Sequence, residues 1–288
     1  MLDPGMQAAS RPDPAQLPGA AAPLRTIAVC SGKGGVGKTS VAINLAVQFA
    51  ERGRSVMLLD ADLALANADV LLGLKPKGNL SHVLDGTLDL EDIILDGPAG
   101  VRLVPGSTGV SRLANLGVQE SAGLINAFAE LAEPLDVLLV DAAAGISESV
   151  LMFARAVQEV LVVVCDEPAS MTDAYALMKV LHREHGIDRF AIVASMVEGP
   201  ADGQRLFKRL EETCARFLDV TLTLLGAVPR DPRMLQAIRS RSPVSVAWPS
   251  SPSARALKEI AHCADTRVMA GSPWGGVEFF VDRLVAAR

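Results

Sequence analysis

The sequence predicts an α/β fold, a single domain with a mostly parallel β-sheet flanked by helices. From residue 24 onward, short apolar runs rich in Val, Ile and Leu alternate with longer helical patterns, which is typical of βαβ units. The runs lack strict polar–apolar alternation, as expected for strands buried on both faces. The first run leads directly into a glycine-rich loop and then into a helical pattern.

Seven apolar runs are predicted to form strands, and six segments are predicted to form helices. The strands are 26–30, 56–59, 101–104, 137–140, 160–165, 190–196 and 222–228. The helices are 38–52, 120–132, 147–157, 170–185, 202–217 and 252–264. Because no internal repeat or break in composition divides these elements, we predict one domain over residues 24–270.

Two terminal segments differ from this domain. Residues 1–23 carry five prolines among Ala, Gly and Gln, and we predict a flexible arm because proline removes backbone donors and fixes φ. Within residues 271–288 an apolar helical face predicts an amphipathic helix. That face consists of Val277, Phe280, Val281, Leu284 and Val285. The sequence leaves open whether it binds a membrane surface or the protein's own core.

Charge and cysteine content exclude several classes of function. The 27 Lys and Arg and 33 Asp and Glu residues give a formal net charge of -6, which argues against a protein that mainly coats nucleic acid. The four cysteines, Cys30, Cys165, Cys214 and Cys263, never form a CxxC pair. The sequence therefore signals neither a disulfide framework nor a local zinc or iron–sulfur site, and it predicts a cytoplasmic protein.

The strongest functional signal is a complete phosphate-binding loop. Residues 32–39 read GKGGVGKT and match GxxxxGK[ST] between the first strand and the first helix, the context that this motif requires. Glycines let successive N–H groups surround phosphate oxygens, and the helix N-terminus adds positive potential. The residues predicted to bind the nucleotide are Gly32, Lys33, Gly34, Gly35, Val36, Gly37, Lys38, Thr39 and Ser40. Lys38 would reach the β- and γ-phosphates, and Thr39 would ligate Mg²⁺.

Carboxylates follow two further predicted strands. Asp60 ends the second strand, and Asp141 ends the fourth. Carboxyl ends of parallel strands face the ligand crevice, so we predict that Asp60 binds Mg²⁺ through water and that Asp141 holds the Mg²⁺ shell beside Thr39. Asp166 and Glu167 follow another strand, where Pro168 makes a turn role at least as good an explanation as a contact.

The loop carries an additional lysine, Lys33, near its start. It gives the pattern KGGVGKT, which resembles the deviant Walker A family of MinD and ParA. The resemblance implies a P-loop NTPase of the MinD/SIMIBI type that forms a homodimer when it binds ATP. Lys33 would then cross the interface to the partner's nucleotide, where a cation neutralises developing charge. It also implies that Asp62 orients the attacking water, so the predicted catalytic residues are Lys33, Lys38 and Asp62.

Longer stretches are similar to the FleN/FlhG branch of this family. They are residues 56–67, 163–168, 172–177, 216–220 and 276–285. The branch implies an ATPase that limits flagellar number, restrains the transcription activator FleQ and counters the GTPase FlhF. It also implies that residues 274–288 bind the inner membrane reversibly.

Two positions depart from the family pattern, and both bear on the nucleotide. Ala142 follows Asp141 where the family usually has threonine, and Ser195 stands where an asparagine usually reads adenine. Serine lacks the paired donor and acceptor of an amide. We therefore expect adenine recognition by Ser195 together with backbone groups of Pro229, Arg230 and Asp231.

Two alternative functions remain from the sequence. A ParA-like DNA-segregation factor or cell-positioning ATPase would use the basic cluster Arg230, Arg233, Arg239 and Arg241. The negative net charge of the protein disfavours a DNA-segregation factor, and no direct contact with nucleic acid is expected. An iron–sulfur carrier is disfavoured by the absence of a CxxC pair.

Overall fold

A computed structural model of the protein describes residues 24–62, 67–106, 126–128, 131 and 134–267. Its strands are β1 (Arg25–Ser31), β2 (Val56–Ala61), β3 (Leu95–Asp96), β4 (Arg102–Val104), β5 (Val137–Ala144), β6 (Glu159–Cys165), β7 (Arg189–Val197) and β8 (Thr221–Pro229). They form one eight-stranded sheet in the order β3–β4–β2–β5–β1–β6–β7–β8. Only β3 and β4 pair antiparallel within it. The predicted mostly parallel sheet is confirmed.

Helices cover both faces of this sheet. They are α1 (Lys38–Glu51), α2 (Ala68–Leu72), α3 (Leu80–Leu84), α4 (Leu90–Ile93), α5 (Glu148–Ala156), α6 (Pro168–His185), α7 (Pro200–Phe217), α8 (Pro232–Arg239), α9 (Val244–Ala247) and α10 (Pro252–Thr266). Five predicted helices match α1, α5, α6, α7 and α10, and most of the sixth, 120–132, lies outside the described residues. The sequence missed β3 and the short helices, because elements of a few residues depend on tertiary packing rather than on periodicity.

Successive residues of the central strands enter two different cores. In β1, Ile27 and Val29 pack with Leu45 of α1 on one face. Ala28 and Cys30 pack with Phe153 of α5 on the other. Because neighbouring side chains of a strand point to opposite faces, a strand covered on both sides is apolar throughout. This explains why the strand runs showed no alternation.

The terminal segments stay predictions. The arm 1–23 and the amphipathic helix within 271–288 lie outside the described residues, as does the exact boundary at residue 270. Within the part of the chain that the structure describes, no helix has the length and apolar character that crossing a bilayer needs.

Candidate nucleotide-binding site

The sheet order brings the predicted phosphate-binding residues together. Strand β5 lies between β1 and β2, so the loop after β1 lies next to the end of β5 and one strand away from the end of β2. Asp60 and Asp141 occupy paired positions of β2 and β5. Residues separated by eighty positions or more in the chain thus meet at the carboxyl edge of the sheet, as the sequence predicted.

The loop between β1 and α1 has a backbone that depends on glycine. Gly35 and Gly37 have φ values of 81° and 88°, in the left-handed region that side chains disfavour. At Gly32 the constraint is space, because an added Cβ would lie 2.1 Å from the carbonyl carbon of Asp173 in α6. The loop is therefore fixed both by its own conformation and by the helix that packs against it.

Lys38 and Asp141 form a buried ion pair. Lys38 Nζ lies 2.6 Å from Asp141 Oδ1, and the side chains are 8% and 1% exposed. Burial raises the pKa of Asp141 above its ordinary value, against the opposing effect of the Lys38 ammonium. The second oxygen, Asp141 Oδ2, is buried without a hydrogen-bond partner. Lys38 Nζ also lies 3.4 Å from the Thr39 hydroxyl oxygen.

This arrangement fits Mg²⁺. A buried carboxylate oxygen with no partner is costly, and here it lies in the same cluster as the Thr39 hydroxyl. Oxygen ligands of this kind are those that Mg²⁺ prefers. Thr39 and Asp141 would hold the ion or its water shell, and this assignment stays a prediction.

Asp60 has a role that the sequence did not reveal. Its Oδ1 accepts the N–H of Asp62 at 3.2 Å, and its Oδ2 accepts the N–H groups of Asn67 and Ala68 at 2.9 Å each. Burial raises the pKa of Asp60 to about 6, although the hydrogen bond from Ala68 opposes the shift. The carboxylate therefore joins the end of β2 to the start of α2, and its contact with Mg²⁺ through water stays a prediction.

Asp62 lies just beyond β2, half-buried. Its negative charge contributes to raising the pKa of Asp141. This proximity places Asp62 near the phosphate-binding cluster, and its role in orienting water stays a prediction.

Lys33 pairs with an acid that the sequence treated as a turn residue. Lys33 Nζ lies 2.7 Å from Glu167 Oε2 at the start of α6, with the two side chains 40% and 51% exposed. This hydrogen bond raises the pKa of Lys33 and lowers the pKa of Glu167. The neighbouring Asp166 binds Arg209 of α7. Both acids thus make contacts between elements rather than acting only in a turn.

The ends of β7 and β8 form the other side of the site. Ser195 is 3% exposed, and a Cβ placed on Gly37 would lie 3.3 Å from Ser195 Oγ and 3.5 Å from Met196 Cε. Met196 has a φ of 56° at a point where the pairing of β7 with β8 shifts register. Such strained bulges occur next to functional sites, but no pattern in the sequence distinguished Met196.

The loop formed by Pro229, Arg230 and Asp231 is anchored on two sides. The Arg230 N–H donates to the Val197 carbonyl oxygen at 2.8 Å. The Asp231 carboxylate accepts hydrogen bonds from Arg233 and from Ser253 of α10. Among these three loop residues, which the sequence predicted to contact adenine through their backbone, Asp231 thus uses its side chain for contacts inside the protein.

Comparisons with known proteins assign this chain to a family. The family model described as the CobQ/CobB/MinD/ParA nucleotide binding domain matches residues 27–244. The antiactivator FleN of Pseudomonas aeruginosa is 50% identical over 263 residues, which cover 91% of this chain and 94% of that protein. The chain belongs to the MinD/ParA family, in its FleN branch.

Further relatives agree with this assignment. The flagellum site-determining protein YlxH of Helicobacter pylori is 30% identical, over 90% of this chain and 89% of its own length. The solved structure of MinD from Pyrococcus horikoshii, complexed with Mg-ADP, matches with a TM-score of 0.65 and 26% identity. That match covers 84% of this chain and 96% of the other. The predicted P-loop fold of the MinD type is confirmed.

Membership of the MinD/ParA family implies a nucleotide-binding ATPase, and the geometry agrees. Of the predicted residues, 32–37 lie between β1 and α1, and 38–40 form the first turn of α1. Lys38, Thr39 and Asp141 are in mutual contact. Ala142, which departs from the family pattern, is fully buried in β5 and pairs with Ala61 of β2. Ser195, the other departure from the family pattern, lies against Gly37 of the P-loop.

Proposed function

We propose that this protein is an ATP-dependent, dimerising regulatory ATPase that limits flagellar number. Two relatives support this proposal by their names, an antiactivator and a flagellum site-determining protein. Resemblance to the branch supplies the finer partners, a FleQ-type transcription activator that is restrained and the GTPase FlhF that is countered. The observation that carries the biochemical part is the Lys38–Asp141 pair, with its unpartnered oxygen, beside a complete P-loop.

In the proposed mechanism, phosphate binding rearranges this pair. The loop N–H groups and Lys38 bind the triphosphate, and the ammonium exchanges part of its contact with Asp141 for phosphate oxygens. Asp141 and Thr39 would hold Mg²⁺, which supplies positive charge at the phosphates. Asp62 orients the attacking water. The solved MinD with Mg-ADP supports this choice of cofactors.

Dimerisation requires Lys33 to leave Glu167. An ion pair this exposed is weak, because water and salt screen it. The triphosphate of a second copy carries several negative charges and can therefore displace a single carboxylate. The ATP-bound homodimer would be the form that binds the activator. Residues 274–288 would bind the inner membrane reversibly from the cytoplasm.

Partner binding tests the regulatory part of the proposal. The full chain is mixed with a purified FleQ-type activator and passed through a sizing column with no nucleotide, with ADP or with ATP. We expect co-elution with ATP only. Co-elution that is equal in all three states would contradict nucleotide control, and no co-elution in any state would contradict the activator as partner.

Hydrolysis tests the catalytic part. Asp62→Ala should lower the ATPase rate by at least tenfold while leaving ATP binding nearly unchanged, since positioned acids contribute about 10² or more to such steps. Asp219→Ala, a change at an exposed acid, is the matched control. If Asp62→Ala hydrolyses ATP at the wild-type rate, the assigned role is wrong.

A further inference from the structure

The loop of Pro229, Arg230 and Asp231 has no regular secondary structure beyond the end of β8, yet it is held at both ends. On one side, the Arg230 N–H donates to the Val197 carbonyl oxygen at 2.8 Å. This bond joins the loop to the end of β7, next to Ser195 and Met196. On the other side, the loop is joined to α10 through the Asp231 side chain.

Both oxygens of Asp231 are occupied by donors within the protein. Oδ1 accepts the Arg233 N–H at 2.9 Å. Oδ2 accepts the Ser253 hydroxyl at 2.6 Å and the Ser253 N–H at 3.1 Å. Ser253 is fully buried in the first turn of α10, so this contact is fixed by the core.

The charge of Asp231 is maintained in this setting. Burial raises the pKa of Asp231, but the hydrogen bonds from Ser253 and Arg233 more than compensate and leave the pKa below its ordinary value. A carboxylate that accepts three donors at a helix start is a strong anchor. Its geometry is that of a structural link and not of a group directed at a ligand.

The rest of the site makes the position of this loop important. Ser195 lacks the amide that could both donate to and accept from a base edge. Recognition of the base therefore depends on backbone groups, and their placement depends on the anchors of the loop. A displacement of about 1 Å is enough to weaken a set of aligned contacts severely.

We propose that Asp231 is a positioning residue, whose carboxylate binds Ser253 of α10 and thereby holds the Pro229–Arg230 backbone against the adenine base. The inference rests on the proposed function, because it assumes that the nucleotide is ATP. The sequence prediction concerned backbone groups of this loop, and the proposal adds a positioning role for the Asp231 side chain.

Two ligands separate this role from a general effect on the P-loop. ATP uses both the base loop and the phosphate loop, whereas inorganic tripolyphosphate carries no base. Calorimetric titrations of the full chain with each ligand, in the presence of Mg²⁺, therefore divide the affinity between the two sides. The variants are Asp231→Ala and Ser253→Ala, with Asp219→Ala as the control at an exposed acid.

We expect Asp231→Ala to weaken ATP binding by about tenfold and tripolyphosphate binding by less than about twofold. Ser253→Ala removes one donor and keeps the N–H, so it should weaken ATP binding by about threefold in the same selective manner. Asp219→Ala should change neither. Each titration is run well below the thermal midpoint of its variant, so that loss of folded protein does not enter.

Three results would overturn the inference. If Ser253→Ala leaves ATP binding unchanged while Asp231→Ala weakens it, Asp231 contacts the nucleotide directly. If both variants weaken tripolyphosphate as much as ATP, the anchor acts on the whole fold and not on the base loop. If the wild-type chain binds tripolyphosphate and ATP equally, the base is not recognised, and the failure then lies in the proposed function itself.

Discussion

The phosphate side and the base side of the site are built in different ways. On the phosphate side, charged groups from β5 and α1 are buried in direct contact, and one carboxylate oxygen has no protein partner. On the base side, the polar groups of Asp231 and Ser253 satisfy one another. The first region therefore keeps an oxygen that a ligand can use, whereas the polar groups of the second region are already paired within the protein. The charged groups available to a ligand are thus on the phosphate side, while the contacts on the base side fix the position of the backbone.

The largest expected effect comes from breaking the buried pair. Lys38→Ala should abolish measurable ATP binding and lower the free energy of unfolding by about 3 kcal/mol, because Asp141 is left as an unpaired buried charge. Adding Asp141→Asn should recover most of the stability and none of the binding. For the single and double variants, urea denaturation measures the free energy of unfolding and calorimetry measures ATP binding. A double variant as unstable as Lys38→Ala would contradict this explanation.

Asp60 should make stability depend on pH. Its folded-state pKa of about 6 lies above the unfolded value, so the folded state binds the proton more tightly between about pH 4 and pH 6. The contribution of Asp60 therefore favours folding below that window, and it is lost as pH rises through 6. Compared with Asp60→Asn, the wild type should lose about 2–3 kcal/mol of unfolding free energy between pH 4 and pH 7. Parallel pH curves for the two proteins would show that Asp60 does not titrate in this way.

Gly32→Ala tests the packing of α6 against the phosphate loop. Its Cβ would lie 2.1–2.4 Å from backbone atoms of Asp173 and Ala174, so we expect a loss of about 1–3 kcal/mol in unfolding free energy. Gly34→Ala is the matched control in the same loop, because an added Cβ there meets no atom within 4 Å. Equal stabilities of the two variants without nucleotide would refute the steric argument.

The smallest effect is expected at the exposed pair. Glu167→Gln removes the charge that holds Lys33, so dimerisation should need about two- to threefold less ATP, as expected for a weak surface ion pair. Light scattering during an ATP titration measures this midpoint. An unchanged midpoint would show that the Lys33–Glu167 contact does not oppose dimerisation.

The sequence predicted which residues lie along the phosphate loop and at the neighbouring strand ends, but not the long-range contacts that these residues make, for a physical reason. The loop 32–39 is contiguous, and strand ends carry Asp60 and Asp141 to one edge of any parallel sheet. The pairing of Lys33 with Glu167 joins residues 134 positions apart, and Asp231 meets Ser253 only through the packing of α10. No local pattern encodes such contacts, nor the left-handed backbone of Met196.

The most direct test concerns the ATP-driven homodimer in which Lys33 acts on the partner's nucleotide. Sedimentation velocity of the full chain should show a monomer without nucleotide and with ADP, and a dimer with ATP and Mg²⁺. Lys33→Ala should remain monomeric with ATP while still binding it, and Lys208→Ala, a change at an exposed lysine of α7, should dimerise normally. A Lys33→Ala protein that dimerises with ATP as the wild type does would contradict the proposed switch.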